Sequence, residues 1–287
     1  MQGCFSLLGR HRLKLKSLKN KTLLFIILFI THSPFIHAAL TKDSSFLVVI
    51  DPGHGGSDHG AVYKSGNKEI TEKDLTLQVA NEIARELRSK QIRVILTRRR
   101  DKDLSLSERT AIANKLEANM FLSLHFNSFQ KSTKNNSPGG IETYILNTST
   151  DKSSKKLAKI ENTVLHGSQM NVQNSNVALI LKDLTLDANL PESKKLACAI
   201  QNRLVKQTST TSLKKIRDRG VKQALFQVLL GADMPSVLIE AGFLSNHYDR
   251  SLLLSKKGKI KVAKAISNAI SDFKSSRVLT NCKVNRH

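Results

Sequence analysis

An α/β fold is predicted for this chain: a single domain in which a mostly parallel six-stranded sheet carries helices on both faces. Two observations predict it. Short apolar runs that read as buried strands alternate along the chain with longer stretches of helical periodicity. Three of those runs also deliver a polar side chain at or just beyond their C-terminal ends, namely His54, His125 and Glu240. Open α/β sheets place their sites at such ends.

Each element has a local reason. Val48-Val49-Ile50-Asp51 closes a strand expected over 46–51, which Pro52 and Gly53 terminate. The glycine-rich turn Gly53-His54-Gly55-Gly56 follows. A helix over 73–89 opens at Ile70-Thr71-Glu72-Lys73-Asp74 and carries Leu75, Leu77, Val79, Ile83, Ala84 and Leu87 at amphipathic spacing. Further strands are expected near 92–97, 119–125, 140–146, 224–229 and 235–240, the last preceded by Met234-Pro235. Further helices are expected near 106–116, 152–166, 190–208, 246–255 and 258–274. Residues 131–138 read as a polar loop, 208–217 as a Ser/Thr/Lys connector and 277–287 as a loose tail.

The glycine turn presents His54 in a way that suits a metal ligand, although a loop histidine bonded to its neighbours is an equal reading of that residue alone. His125 ends the apolar run Met120-Phe121-Leu122-Ser123-Leu124, and Glu240 ends Ser236-Val237-Leu238-Ile239. For the glutamate the plain alternative is a strand-end acid in a salt bridge. Glu72 by itself reads as an acid in a first helical turn, favourable to the helix dipole and next to a Thr71/Asp74 capping pair. Glu69 is a rival to it, three residues earlier and on the loop. His59, beyond the glycine turn, reads as a rim residue. Asp51 is either an ordinary turn aspartate or the residue that orients a ligating imidazole; Asn127 either does the same or contacts substrate.

In their order and spacing these segments resemble the zinc-dependent N-acetylmuramoyl-L-alanine amidases of the Amidase_3 family over residues 46–254. Arg93-Val94-Ile95-Leu96-Thr97-Arg98, Leu106-Ser107-Glu108-Arg109, Gly139-Gly140-Ile141-Glu142-Thr143-Tyr144 and Arg219-Gly220-Val221-Lys222-Gln223-Ala224 add to the resemblance. It implies one catalytic Zn²⁺ held by His54, Glu72 and His125, with Glu240 as the catalytic carboxylate. Two imidazoles and a carboxylate leave a fourth position for water, as catalytic zinc sites do. The implied reaction is hydrolysis of the amide between N-acetylmuramic acid and L-alanine, in peptidoglycan or its muropeptides, serving cell separation and wall turnover. Residues 147–177 correspond to an insertion that, in longer members of the family, is a regulatory helix covering the zinc and displaced by an activator protein. Leu157-Ala158-Lys159-Ile160-Glu161-Asn162 resembles that helix, with Glu161 as the inhibitory ligand. A surface helix with a solvated Glu161 is an equal reading.

Residues 1–39 read as a secretory signal peptide: six basic residues from Arg10 to Lys21 precede the apolar run Leu23-Leu24-Phe25-Ile26-Ile27-Leu28-Phe29-Ile30, and Ala38-Ala39 follows. The chain is therefore expected to be exported to the periplasm or cell envelope, with 40–276 as the catalytic domain. Retention as an uncleaved anchor is the alternative, because Ile36 or His37 sits three places before the cut. The formal charge of +23 becomes +17 without those six cations, since residues 1–39 contain no acid. A surface this basic favours peripheral, salt-dependent contact with anionic envelope material. Nucleic acid is excluded as a partner by the export signal, the absence of Trp and the lack of any nucleic-acid motif. Cys198 and Cys282 remain after cleavage and either pair or stay free. Without a Cys/His cluster, a metal site has to be built from His and carboxylate.

Other function classes make different demands. A non-catalytic murein-binding protein would lack one of the four positions His54, Glu72, His125 and Glu240, whereas all four are present. A zinc carboxypeptidase acting on another envelope peptide would share them. Ser-x-x-Lys patterns at Ser65, Ser128, Ser149, Ser153, Ser212 and Ser271 would suit a second, penicillin-sensitive carboxypeptidase activity, but composition accounts for them and no Lys-Thr-Gly accompanies them.

Overall fold

The structure, a computed structural model, describes residues 46–129, 138–163, 175–209 and 216–276. In chain order the elements are β1 (Leu47–Pro52), β2 (Val62–Ser65), β3 (Lys68–Thr71), α1 (Glu72–Ser89), β4 (Arg93–Leu96), α2 (Leu106–Lys115), β5 (Met120–Asn127) and β6 (Ile141–Leu146). There follow α3 (Lys152–Glu161), α4 (Ser175–Thr208), β7 (Asp218–Ala224), a 3₁₀ turn (Gln227–Leu229), β8 (Ser236–Phe243), α5 (His247–Leu254) and α6 (Lys256–Lys274).

Six strands form one sheet in the order β4-β1-β5-β8-β6-β7, parallel throughout except where β6 meets β8. Alternation along β1 shows why both faces are covered. Val48 and Ile50 join a core with α1, α4 and α6, while Leu47 and Val49 join one with α2, α3 and the 3₁₀ turn. The chain leaves β1 toward β4 on one side and returns to β5 on the other, so the strand order reverses between β1 and β5. Their C-terminal ends therefore border the crevice where ligands bind in open α/β sheets. His54 and His125 are at those ends.

Two expectations need correction, and one element was not foreseen. The strand foreseen at 224–229 lies instead at Asp218–Ala224, where its polar composition hid it; the more apolar Phe226–Leu229 stretch turns into 3₁₀ geometry and packs into the second core. The hairpin β2–β3 was not foreseen, although Gly66-Asn67 is a two-residue loop signal. Gly66 takes φ +57°, the positive value that the first central position of a type II′ turn requires. Helix α4 begins at Ser175 rather than near 190, with Pro191 inside it. The predicted signal peptide, the tail 277–287, Cys282, most of the loops at 131–138 and 208–217 and part of 147–177 lie outside the described residues. Cys198, buried in α4, is disulfide-bonded. Among the described residues, no helix is long and apolar enough to cross a membrane.

Candidate metal centre and active site

Two buried guanidinium groups hold the loop after β1. Arg109 Nη1 donates to Asp51 Oδ1 at 2.8 Å and to the Pro52 carbonyl at 3.1 Å, and its Nη2 donates to the His54 carbonyl at 3.1 Å. Arg98 donates to the carbonyls of Pro52 and Gly53, both at 2.9 Å. Carbonyls that no strand partner could satisfy are thus paired, and His54 is fixed at φ +61°, uncommon for a residue with a Cβ. Gly53 packs directly on the second histidine, since a Cβ there would lie 2.4 Å from the His125 ring.

Asp51 is fully buried and accepts from Thr97, Ser123 and Arg109. Burial pushes its pKa up, but the Arg109 charge and the Thr97 bond outweigh it and hold the carboxyl below its ordinary value. None of these donors is an imidazole, so the orienting role foreseen for Asp51 falls elsewhere. Asp58 takes it, with Oδ2 2.8 Å from His54 Nδ1. That contact turns His54 Nε2 inward.

Four side chains converge there. His54 Nε2 lies 3.1 Å from Glu72 Oε1 and 3.5 Å from Glu161 Oε2; His125 Nδ1 lies 3.2 Å from each of the same oxygens. The two rings meet edge to face, with centroids 4.8 Å apart. Ligand bonds of about 2.0–2.1 Å to a tetrahedral zinc place the corner atoms about 3.3 Å apart. The four imidazole–carboxylate separations are of that length, and His54, His125 and Glu161 offer ligand atoms that all lie within 4.8 Å of one another. His54 Nε2 and His125 Nδ1 are buried yet make no hydrogen bond, as expected of nitrogens whose lone pairs serve a cation. The donor set, imidazole and carboxylate without thiolate, suits a divalent cation of the zinc type.

Glu72 is the first residue of α1, capped by Thr71, and is almost wholly buried. Its Oε2 accepts from Ala61 N at 2.8 Å and its Oε1 from Phe126 N at 2.9 Å, so both oxygens are aimed by backbone. Glu69 is exposed on β3, 3.6 Å from Lys64, and His59 is exposed on the rim; neither joins the cluster. Without metal, burial lowers the His54 pKa, but Glu72 and Asp58 outweigh it and raise it to about 10. Burial likewise opposes Glu161 and Glu72 at His125, which is also raised to about 10. Glu72 is pushed far below the carboxylate range, the two imidazoles overcoming its burial.

Glu240 sits in β8 level with His125 in β5 and is 1% exposed. Neither carboxylate oxygen has a hydrogen-bond partner. Burial, and then the charges of Glu161, Glu72 and Glu142, push its pKa well above the ordinary glutamate value. A strand-end acid in a salt bridge is not what is found. Asn127 ends β5 and lines the cleft in front of the cluster, a cavity of about 620 Å³ that also borders Tyr63, Phe129 and Ser245.

Residues 48–272 match the family described as N-acetylmuramoyl-L-alanine amidase, Amidase_3. The chain belongs to that family. Among curated amidases, AmiC of Neisseria meningitidis serogroup B is 31% identical over 236 residues, which are 81% of this chain and 54% of AmiC. The chain thus spans about half the length of the AmiC relatives it matches. The crystal structure of an N-acetylmuramoyl-L-alanine amidase from Clostridium difficile 630 superposes with a TM-score of 0.61 at 29% identity, over 82% of this chain and all of that one. The CwlD amidase of Clostridioides difficile, solved in complex with the GerS lipoprotein, gives a TM-score of 0.57 at 26% identity, over 81% of this chain and all of CwlD.

In this family member the structure brings together His54, Glu72, His125, Glu161 and Glu240, all named from sequence, and leaves Glu69 outside. Sequence reasoning missed Asp58, whose signal was its place just beyond the glycine turn. Arg98 and Arg109 stood in segments noted for the resemblance, but nothing in sequence showed that they brace the His54 loop. Ser149 accepts from Asp151 N and Ser153 donates to the Asp151 carboxylate, the cap of α3, and among the described residues neither bonds a lysine.

Proposed function

We propose that the protein is a zinc-dependent N-acetylmuramoyl-L-alanine amidase whose ion is held by His54, Glu72 and His125, with Glu161 at the fourth corner in a resting state. The observation that carries this reading is the set of 3.1–3.5 Å contacts among two imidazoles and two carboxylates. When bound, zinc supplies a Lewis acid that polarises the scissile carbonyl and acidifies water. Asp58 holds the His54 ring in the tautomer that keeps Nε2 unprotonated and inward. Glu72, fixed by two backbone N–H groups, contributes the charge that complements the cation. Glu240 takes a proton from the attacking water and delivers it to the departing amine of L-alanine, as the C–N bond breaks and a carboxylate forms on the lactyl side. Its raised pKa suits both halves of that transfer.

Glu161 closes the fourth corner and α3 covers the cleft, so water and substrate enter only when α3 leaves. We take an activator protein to be what shifts that population. Support comes from the CwlD relative, which was solved with a protein partner. Export by residues 1–39, and contact of the basic surface with the envelope, complete the proposal.

The test is digestion of a defined muropeptide by zinc-loaded protein, with and without chelator, alongside Glu240→Ala, with products identified by mass. Chelator-sensitive release of free peptide, absent in the variant, is the expected result. Loss of only a terminal D-alanine would point to a carboxypeptidase instead.

A further inference from the structure

Beside the cleft lies a smaller cavity of about 80 Å³, between α3 and the strands β6, β7 and β8. Asn127, Phe129 and Leu157 line both cavities, so the small one is a side pocket of the candidate active site. Its wall holds an uneven charge group. Glu142, buried in β6 directly opposite Glu240, is paired by Arg219 Nε and by Lys222 Nζ at 2.9 Å, while its other oxygen accepts the Tyr144 hydroxyl at 2.7 Å. One carboxylate is thus met by two cations.

Lys222 and Tyr144 would satisfy Glu142 without further help. Arg219 is therefore not fully spent on Glu142: among the described residues, Glu142 is its sole hydrogen-bond partner, through Nε alone, and the buried Asp249 carboxylate, itself held by the Gly140 and Phe243 N–H groups, feels its charge without a hydrogen bond. The guanidinium lies over the Phe243 ring at 5.3 Å and lines the side pocket, and its terminal amino groups make no hydrogen bond among the described residues. A planar fork with two unused N–H-bearing nitrogens, held by a ring and by one carboxylate, matches a carboxylate ligand. Exposed Lys156 of α3 adds a second positive charge at the mouth.

We infer that Arg219 is a specificity-determining residue that binds a carboxylate of the stem peptide in this side pocket, so that the site reads an acidic peptide on the β7 side of Glu240. The inference rests on the amidase reading for the identity of its ligand. It also implies that α3 masks two places at once, since Ser153, Leu157 and Ile160 cover the pocket while Glu161 closes the metal corner.

The probes are N-acetylmuramoyl-L-alanyl-D-glutamate and the same compound with both carboxylates converted to carboxamides. Full-chain, zinc-loaded protein is assayed for kcat/KM on each, and Glu240→Ala protein for the dissociation constant of each uncleaved compound. Both ligands face the same α3 opening, so their ratio is independent of it. Wild-type protein is expected to prefer the acid by about tenfold or more, as a charge-assisted bidentate contact gives. Arg219→Gln is expected to abolish the preference by weakening the acid alone. Arg219→Lys, which keeps the Glu142 pair and the charge, should retain part of it. Equal weakening of both compounds in Arg219→Gln would show a purely structural arginine and overturn the inference, as would a wild type that does not discriminate. Should the acid bind preferentially while zinc-loaded Glu161→Ala protein, with the α3 block relieved, cleaves neither compound, the carboxylate pocket stands and the amidase reading falls.

Discussion

Replacing Glu161 by Ala should raise basal amidase activity, and the size of the rise follows from what its carboxylate touches. Oε2 lies 3.2 Å from His125 Nδ1 and 3.5 Å from His54 Nε2, on a side chain only 11% exposed. One largely buried interaction with a charged group is worth about 1.5–3 kcal/mol. Its removal therefore shifts the balance of docked and undocked α3 by about 10- to 150-fold toward undocked. The helix keeps other anchors. Leu157 and Ala158 remain buried against Tyr144 and Phe226, and burying the leucine contributes about another 1.5–3 kcal/mol. Glu161→Ala thus leaves α3 partly docked, and Glu161→Ala/Leu157→Ala should be faster still. The assay is peptide release from a muropeptide below KM, with zinc content measured in each preparation because the variant removes a carboxylate from the site. A rate unchanged by Glu161→Ala, in zinc-replete protein whose activity Glu240→Ala abolishes, would refute the occluded resting state.

Zinc removal should leave protein whose stability falls as pH rises from about 6.5 to about 10. His54 and His125 are raised from 6.5 to about 10, so their protonated forms stabilise the folded apoprotein fully below the lower value and cease to do so through the upper one. Urea midpoints with chelator should show this fall, and zinc-saturated protein should not. Asp58→Ala should weaken zinc affinity by about 10- to 100-fold, read by competition with a chromophoric chelator, because the imidazole loses its orienting acceptor. Asp51→Asn should cost about 3–5 kcal/mol in denaturant unfolding, since it strands the buried Arg109 charge. In the wild type, the depressed Asp51 pKa stabilises the fold above the unfolded value of about 3.9, and that contribution is lost as pH falls through the folded value. A midpoint for Asp51→Asn equal to wild type at pH 7 would contradict it.

Much of this was legible along the chain because the relevant signals are local. Uninterrupted apolar runs closed by glycine or polar residues identified five of the sheet's strands, and helical spacing identified α1, α2, α5 and α6 to within a residue or two. Strand β7 escaped because Asp-Arg-Gly-Val-Lys-Gln-Ala carries only a brief apolar signal, and it is a strand by virtue of pairing with β6 at the sheet edge. Glu72 over Glu69 was decided by direction: the first turn of α1 points inward, whereas β3 turns Glu69 to solvent.

By itself the sequence determined the residue types, the strand ends that bear them and the order in which they occur, since these depend on neighbours within a few positions. Tertiary structure alone decided that the imidazoles of residues 54 and 125 each meet the carboxylates of residues 72 and 161 at 3.1–3.5 Å. It alone decided that Asp58 rather than Asp51 aims an imidazole, and that Arg219 reaches Glu142 through Nε alone among the described residues. Those outcomes depend on strand order and on which buried charge reaches which partner. Both are settled only when non-local contacts form and each buried polar group must find a mate.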